Sequence, residues 1–139
     1  MLAGYSWEWT AANKDNANGQ VHDVLIPEFD FGMPWKVRNV GTTWAIDDQG
    51  IDQVGCVHTS QGLEFDYVGI IVGKDMQFNA DTKKYFTVWD NYKDSKGKQG
   101  LLKNPEELNK LVRQIYRILL TRGLKGCYVY FMDKETGGV

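Results

Sequence analysis

The stretch His58–Gly73, reading HTSQGLEFDYVGIIVG, constrains the fold more than any other. A polar, glycine-containing segment runs without a break into the apolar run Tyr67–Val72. That run is too short for a lone helix and rich in β-branched residues, the pattern of a strand buried on both faces of a parallel sheet. A loop at the end of one buried strand, leading straight into another, is where α/β proteins keep ligand contacts. The rest of the chain reads as a frame that faces this loop with a second one, Leu120–Gly126.

Around that stretch the pattern predicts short strands at Leu2–Trp7, Val21–Ile26 and Trp44–Ile46, and a turn at Asp47–Gly50. Thr10–Gln20 is a polar loop, and Glu28–Thr43 an irregular segment tied down by Phe29, Phe31 and Trp35. Gln53–Val57 and Cys127–Met132 join Tyr67–Val72 as interior strands. Met76–Phe78 and Tyr85–Trp89 have the alternation of a hairpin, and Asn91–Gly100 reads as a solvated lysine-rich connection. A helix begins at Pro105 with Asn104 as its cap and Glu107 placed for a capping box. Leu108, Leu111, Val112, Ile115 and Leu119 form its apolar stripe, and Gly123 or Gly126 is expected to end it. Strands on either side of a long helix, with apolar runs rather than alternation, give an α/β layer architecture with a mainly parallel sheet.

Composition narrows the class. A length of 139 residues suits one domain, 1–139. A net charge of -2 supplies no global basic field to draw nucleic acid, which leaves only local patches. Cys56 and Cys127 make no CxxC pair and read as reduced core thiols, and with only His22 and His58 there is no zinc-like spacing. No apolar run approaches the roughly 18 residues of a membrane span, and no signal peptide is evident, so a cytoplasmic chain without a membrane partner is expected.

Two stretches carry a family resemblance. HTSQGLEFDYVGIIVG resembles motif V of superfamily 1 helicases, in which a His, a small hydroxyl residue and GLEF precede a buried strand. RQIYRILLTRGLKGCYVYF resembles their motif VI, a helix ending in Thr-Arg before the next strand. With FGMPW and GTTWAIDDQGIDQVGCV upstream, the whole chain from LAGYSWEW onward is similar to the Schlafen-group-3-type helicase-like domains of prokaryotes. The resemblance implies a RecA-like, P-loop NTPase-type three-layer domain. The chain has no GxxxxGK[ST] loop and no DE pair after an apolar strand, so it resembles the second RecA-like domain alone, part of a longer polypeptide. ATP with Mg2+ would then lie between this domain and an N-terminal RecA-like domain that holds the metal, and DNA or RNA would cross both.

The same resemblance assigns roles by position. Arg122 would reach the γ-phosphate, where a planar guanidinium suits the charge spread over the equatorial oxygens. A helix-end arginine favoured by the macrodipole is its plainer reading. Gly62 would let the backbone approach the nucleotide, and Glu64 would contact the ribose, with Gln61 beside them; a turn glycine and a first-turn carboxylate are the alternatives. His58, Thr59 and Ser60 would face the nucleic-acid backbone, though a lone His beside a strand is as often structural. Trp35 and Trp44 are core anchors rather than base-stacking platforms, and Lys93, Lys96 and Lys98 belong to a solvated loop. Two further readings stay open: an interaction module with this fold and no ATPase activity, and a small α/β enzyme using Glu64 or His58 as acid or base.

Overall fold

The computed structural model describes residues 1–10, 21–36, 43–101 and 103–138. Its strands are β1 (Leu2–Ala3), β2 (Val24–Ile26), β3 (Phe31–Met33), β4 (Phe65–Val72), β5 (Met76–Asn79), β6 (Lys84–Thr87) and β7 (Gly123–Phe131). The helices are α1 (Val57–Ser60), α2 (Ser95–Lys98), α3 (Pro105–Leu120) and α4 (Lys134–Gly137). The main sheet is parallel in the order β1-β4-β7, while β2-β3 and β5-β6 are antiparallel hairpins. Most of Thr10–Gln20 and part of Glu28–Thr43 lie outside the described residues.

Tyr67–Val72 occupies the centre of this sheet as expected, with Val68, Ile70, Ile71 and Val72 buried, but burial on both faces fails at Tyr67, which is exposed. Gln53–Val57 contributes less than a full strand. Only Val54 and Gly55 bridge, to Trp35 on one side and Leu2 on the other, before the chain turns into α1 at Val57. These bridges still extend the parallel pairing by two short rungs, closed by Ala3 N–H to Gly55 O at 2.9 Å and Lys36 N–H to Val54 O at 2.9 Å. Trp44–Ile46 is a turn and not a strand; Trp44 is buried against the edge of Phe65.

The expectation that Cys127–Met132 is an interior strand is overturned. Among the described residues β7 pairs with β4 alone, and Cys127, Tyr128 and Val129 are exposed. An apolar run reports a tendency to be covered, and the covering neighbour is not encoded in the run itself. Cys127 is therefore a free surface thiol, and only Cys56 is the buried one.

Helix α3 forms where its cap and stripe place it. Asn104 Oδ1 accepts the Glu106 and Glu107 N–H groups at 3.1 and 3.3 Å, with Pro105 at the first position. Glu107 does not turn back to complete a capping box; it pairs with Lys110 at 2.7 Å. Leu108, Val112, Ile115, Tyr116 and Leu119 are buried against the sheet. Ile118 and Leu120 remain exposed, so the last turn is not enclosed on all sides. The helix stops at Leu120 with Thr121 as its cap, and neither Gly123 nor Gly126 takes a left-handed conformation there.

α3 lies on the face shared by Gly4, Ile70 and Val72. A Cβ on Gly4 would fall 2.3 Å from the Tyr116 hydroxyl, so glycine is what lets the helix approach. The opposite face carries Tyr67, Gly69 and Ile71, in register with Gly126, Tyr128 and Tyr130. There the β2-β3 hairpin reaches Tyr130 through Glu28 and Phe29, while Tyr67 and Tyr128 stay 60% and 71% exposed. The architecture is α/β, but among the described residues this face lacks the helical third layer expected of it.

One polar knot fastens the carboxyl end of β4. Asp75 Oδ1 accepts from the Ser6 hydroxyl at 2.6 Å and the Tyr116 hydroxyl at 2.7 Å. The same hydroxyls accept in turn, Ser6 from the Asp75 N–H at 3.0 Å and Tyr116 from the Gly73 N–H at 2.9 Å. Asp75 Oδ2 is buried with no partner among the described residues. Burial raises the Asp75 carboxyl above the usual carboxylate range, and the two hydroxyls only partly oppose this. A raised folded pKa adds stability that is complete below the unfolded value and is lost as pH rises through the folded value. Asp75→Asn is therefore expected to flatten the pH dependence of unfolding between pH 4 and 8. At pH 8 it should cost no more than about 1 kcal/mol, because an uncharged amide keeps both acceptor bonds. Urea melts across that range measure both quantities.

Candidate functional site

The two loops singled out in the sequence meet at the amino ends of β4 and β7. α1 leaves Gly55 at the level of Ile70, as the pairing of both with Leu2 fixes, and the chain then returns to Phe65 at the start of β4. The return segment is Gln61–Glu64. Phe65 sits opposite Gly123 in register, and its N–H donates to Arg122 O at 2.8 Å. So parallel pairing alone puts Gln61–Glu64 beside Arg122.

The Arg122 side chain closes the gap. Nη1 donates to Leu63 O at 3.1 Å, Nε to Ile118 O at 3.1 Å, and Nη2 to Thr121 Oγ1 at 3.4 Å. Every acceptor is neutral, and among the described residues no carboxylate forms an ion pair with this guanidinium. Of its five N–H donors, one on each terminal nitrogen stays available. The cation is thus oriented without being neutralised, the state in which it best receives an anion. The helix-end reading is also met in part, since two of its bonds return to the last turn of α3.

Gly62 has φ +78°, and nothing lies within 4 Å of where its Cβ would stand. The backbone conformation requires glycine, and the space above it is open. Gln61 and Glu64 are exposed on either side. These side chains and Arg122 therefore share one open edge of the sheet.

His58, Thr59 and Ser60 divide differently. Ser60 is fully buried, and its hydroxyl donates to Cys56 O at 3.0 Å. It is removed from any ligand, a correction that follows from the i,i-4 back-bond available to Ser in a helical turn. Thr59 is spent on the same turn: its Oγ1 accepts the Cys56 N–H at 2.8 Å and donates to Cys56 O at 3.0 Å. Only His58 points outward, 6.0 Å from the Tyr5 ring at the carboxyl end of the sheet. His58 and Glu64 therefore lie at opposite ends of the strands, so neither supplies the other with a second catalytic group.

Trp35 and Trp44 are core residues, 2% and 6% exposed. The lysine-rich segment is more fixed than its composition suggests. Lys93 N–H donates to Tyr5 O at 2.6 Å, Asp94 caps α2, and Lys98 Nζ lies 5.0 Å from the Trp89 ring. Trp7, Trp9 and Lys36, to which sequence reasoning gave no ligand role, gather with Tyr5 and Trp35 beside His58. Their unusual density near the start of the chain was the available signal.

The family model described as Schlafen group 3, DNA/RNA helicase domain, matches residues 1–133. A yeast protein described as Uncharacterized protein YPL245W, from Saccharomyces cerevisiae (strain ATCC 204508 / S288c), is 34% identical over 138 residues. That match covers 97% of this chain and 29% of the yeast protein. The yeast relative shows that likeness to this chain is not confined to prokaryotes. No solved structure matches significantly. Among the described residues, no helix is long and apolar enough to cross a membrane.

Proposed function

We propose, from the premise that this chain belongs to the Schlafen group 3, DNA/RNA helicase domain family, that it supplies half of an ATP site in a nucleic-acid-dependent motor. The observation that carries this reading is the Arg122 guanidinium held on the Leu63 carbonyl by neutral acceptors. A RecA-like partner domain elsewhere in the polypeptide would hold the phosphates and magnesium. Arg122 then meets the transferred phosphate with its two unspent N–H groups. Gly62 leaves room for the nucleotide, and Gln61 and Glu64 flank it on the ribose side. His58 contributes to the DNA or RNA path at the opposite end of the strands.

In a complete motor, single-stranded nucleic acid stimulates ATP hydrolysis by the full-length protein, while the 139-residue chain alone neither hydrolyses ATP nor binds it tightly. Hydrolysis by the purified chain alone, free of contaminants, would overturn the half-site reading. The rival, an interaction module without ATPase activity, has in its favour that this chain carries no GxxxxGK[ST] loop; it requires the full-length protein to be inert towards ATP.

Gly62 offers a finer check. Gly62→Ala forces an L side chain into a left-handed conformation, costing about 1–2 kcal/mol of folding stability. Because the space above it is open within the chain, sterics add nothing more unless a ligand occupies it. Nucleotide affinity of the full-length variant, measured by equilibrium titration, should fall at least tenfold in protein that still melts cooperatively.

A further inference from the structure

The carboxyl ends of the strands open into a cavity of about 740 Å³ that the half-site at the amino ends does not use. Its floor is aromatic and buried, with Tyr5 and Trp35 edge to face at 5.9 Å. Trp7 and Trp9 stand half-buried above that floor. Trp7 lies 6.0 Å from the Trp35 ring, and the Trp9 indole N–H donates to Trp35 O at 2.7 Å. Lys36 Nζ sits 4.8, 5.1 and 5.6 Å from the centroids of Tyr5, Trp9 and Trp35. It makes no ion pair with a carboxylate among the described residues. Its φ of 25° is a left-handed conformation that a lysine adopts only under constraint. Lys93 and Lys96 line the mouth with His58; of the lining acids Asp94 caps α2 and Glu8 is exposed to solvent.

We infer that this cavity receives one unpaired base of a single-stranded nucleic acid, stacked on Trp7 over the aromatic floor, with the adjoining phosphates on Lys36, Lys93 and Lys96. The inference rests on the nucleic-acid part of the function proposed above and adds the cavity and the residues that hold the strand. Half-buried indoles offer flat faces that accept any base, and stacking on such faces tolerates sequence. Paired bases are already stacked inside a duplex and cannot enter. A lysine held by ring faces rather than by a carboxylate keeps its charge for a phosphate. An acidic peptide would use the lysines but would leave the indole faces without a planar partner.

The test is binding of fluorescently labelled (dT)12 and (U)12 to the full-length protein by anisotropy at two salt concentrations. Trp7→Ala should weaken binding by roughly 5- to 100-fold, the loss of one base–aromatic stack. Trp7→Phe should restore it to within about threefold. Lys36→Gln should weaken binding several-fold and reduce the salt slope by about 0.7, the share of one phosphate on a single strand. An unlabelled duplex should compete far more weakly than the single strand. The proposal is overturned if well-folded Trp7→Ala binds like the unaltered protein, if duplex competes equally, or if poly-glutamate displaces the oligonucleotide as well as unlabelled (dT)12 does. Basal ATP turnover, measured without nucleic acid, separates the two proposals. Its absence sinks the half-site while leaving oligonucleotide binding readable, and normal nucleic-acid-stimulated turnover in Trp7→Ala sinks the cavity alone.

Discussion

Arg122→Ala in the full-length protein is expected to slow ATP turnover by roughly 10³-fold or more while weakening ATP binding far less. The asymmetry comes from when the charge is needed, since electron density on the transferred phosphate builds up mainly in the transition state. Arg122→Lys should recover little. A single ammonium cannot keep the bonds to Leu63 O and Ile118 O and also present two donors to a phosphate. Arg117 is the control, exposed on the same helix with no part in this edge of the sheet; Arg117→Ala should leave turnover within a few-fold. Single-turnover hydrolysis and nucleotide titration of the three variants, with thermal melts, decide the matter. Equal small losses at positions 117 and 122 would reduce Arg122 to a brace between α3 and the loop.

Tyr116→Phe should lower the free energy of unfolding by about 2–4 kcal/mol, a large loss for the removal of one oxygen. The hydroxyl is buried and works twice, donating to Asp75 Oδ1 and accepting from the Gly73 N–H. Its deletion leaves a buried amide unpaired and a buried carboxylate with one donor fewer, each costing about 1–3 kcal/mol. Because that donor lowers the Asp75 pKa, its loss should raise it further. The variant should therefore lose stability more steeply than the unaltered protein as pH rises from 4 towards 8. Urea denaturation followed by tryptophan fluorescence at several pH values measures both effects. A loss below about 0.5 kcal/mol would mean that water replaces the hydroxyl in this knot. Asp75→Asn combined with Tyr116→Phe should then show less than additive loss if the two groups act as a pair.

Much of this protein is written locally. The Asn104–Pro105 start of α3 and the spacing from Leu108 to Leu119 specify a helix and its buried face, because capping and 3.6-residue periodicity involve neighbours along the chain. The Tyr67–Val72 run specifies the central strand for the same reason. The adjacency of Gln61–Glu64 to Arg122 was legible too, each being attached to the start of a strand that the resemblance pairs. Trp35 and Trp44 were rightly read as core.

What lay beyond the sequence was which surface each residue meets. Ser60 and Thr59 match a ligand-facing pattern, yet their hydroxyls turn back onto Cys56, since a short helical turn offers its own carbonyl as the nearer acceptor. Cys127 and Tyr128 lie in an apolar run but stand on a strand paired along one side only among the described residues, and no periodicity records how many neighbours a strand will have. Trp7, Trp9 and Lys36 carry no motif; parallel pairing of Leu2 with Gly55, and of Trp35 with Val54, is what draws them around His58. The sequence by itself determined the long helix, the central strand and the segments that meet at the amino ends of β4 and β7. The tertiary structure decided which of those residues are free to act, because contacts between distant segments settle where each side chain finds its partner.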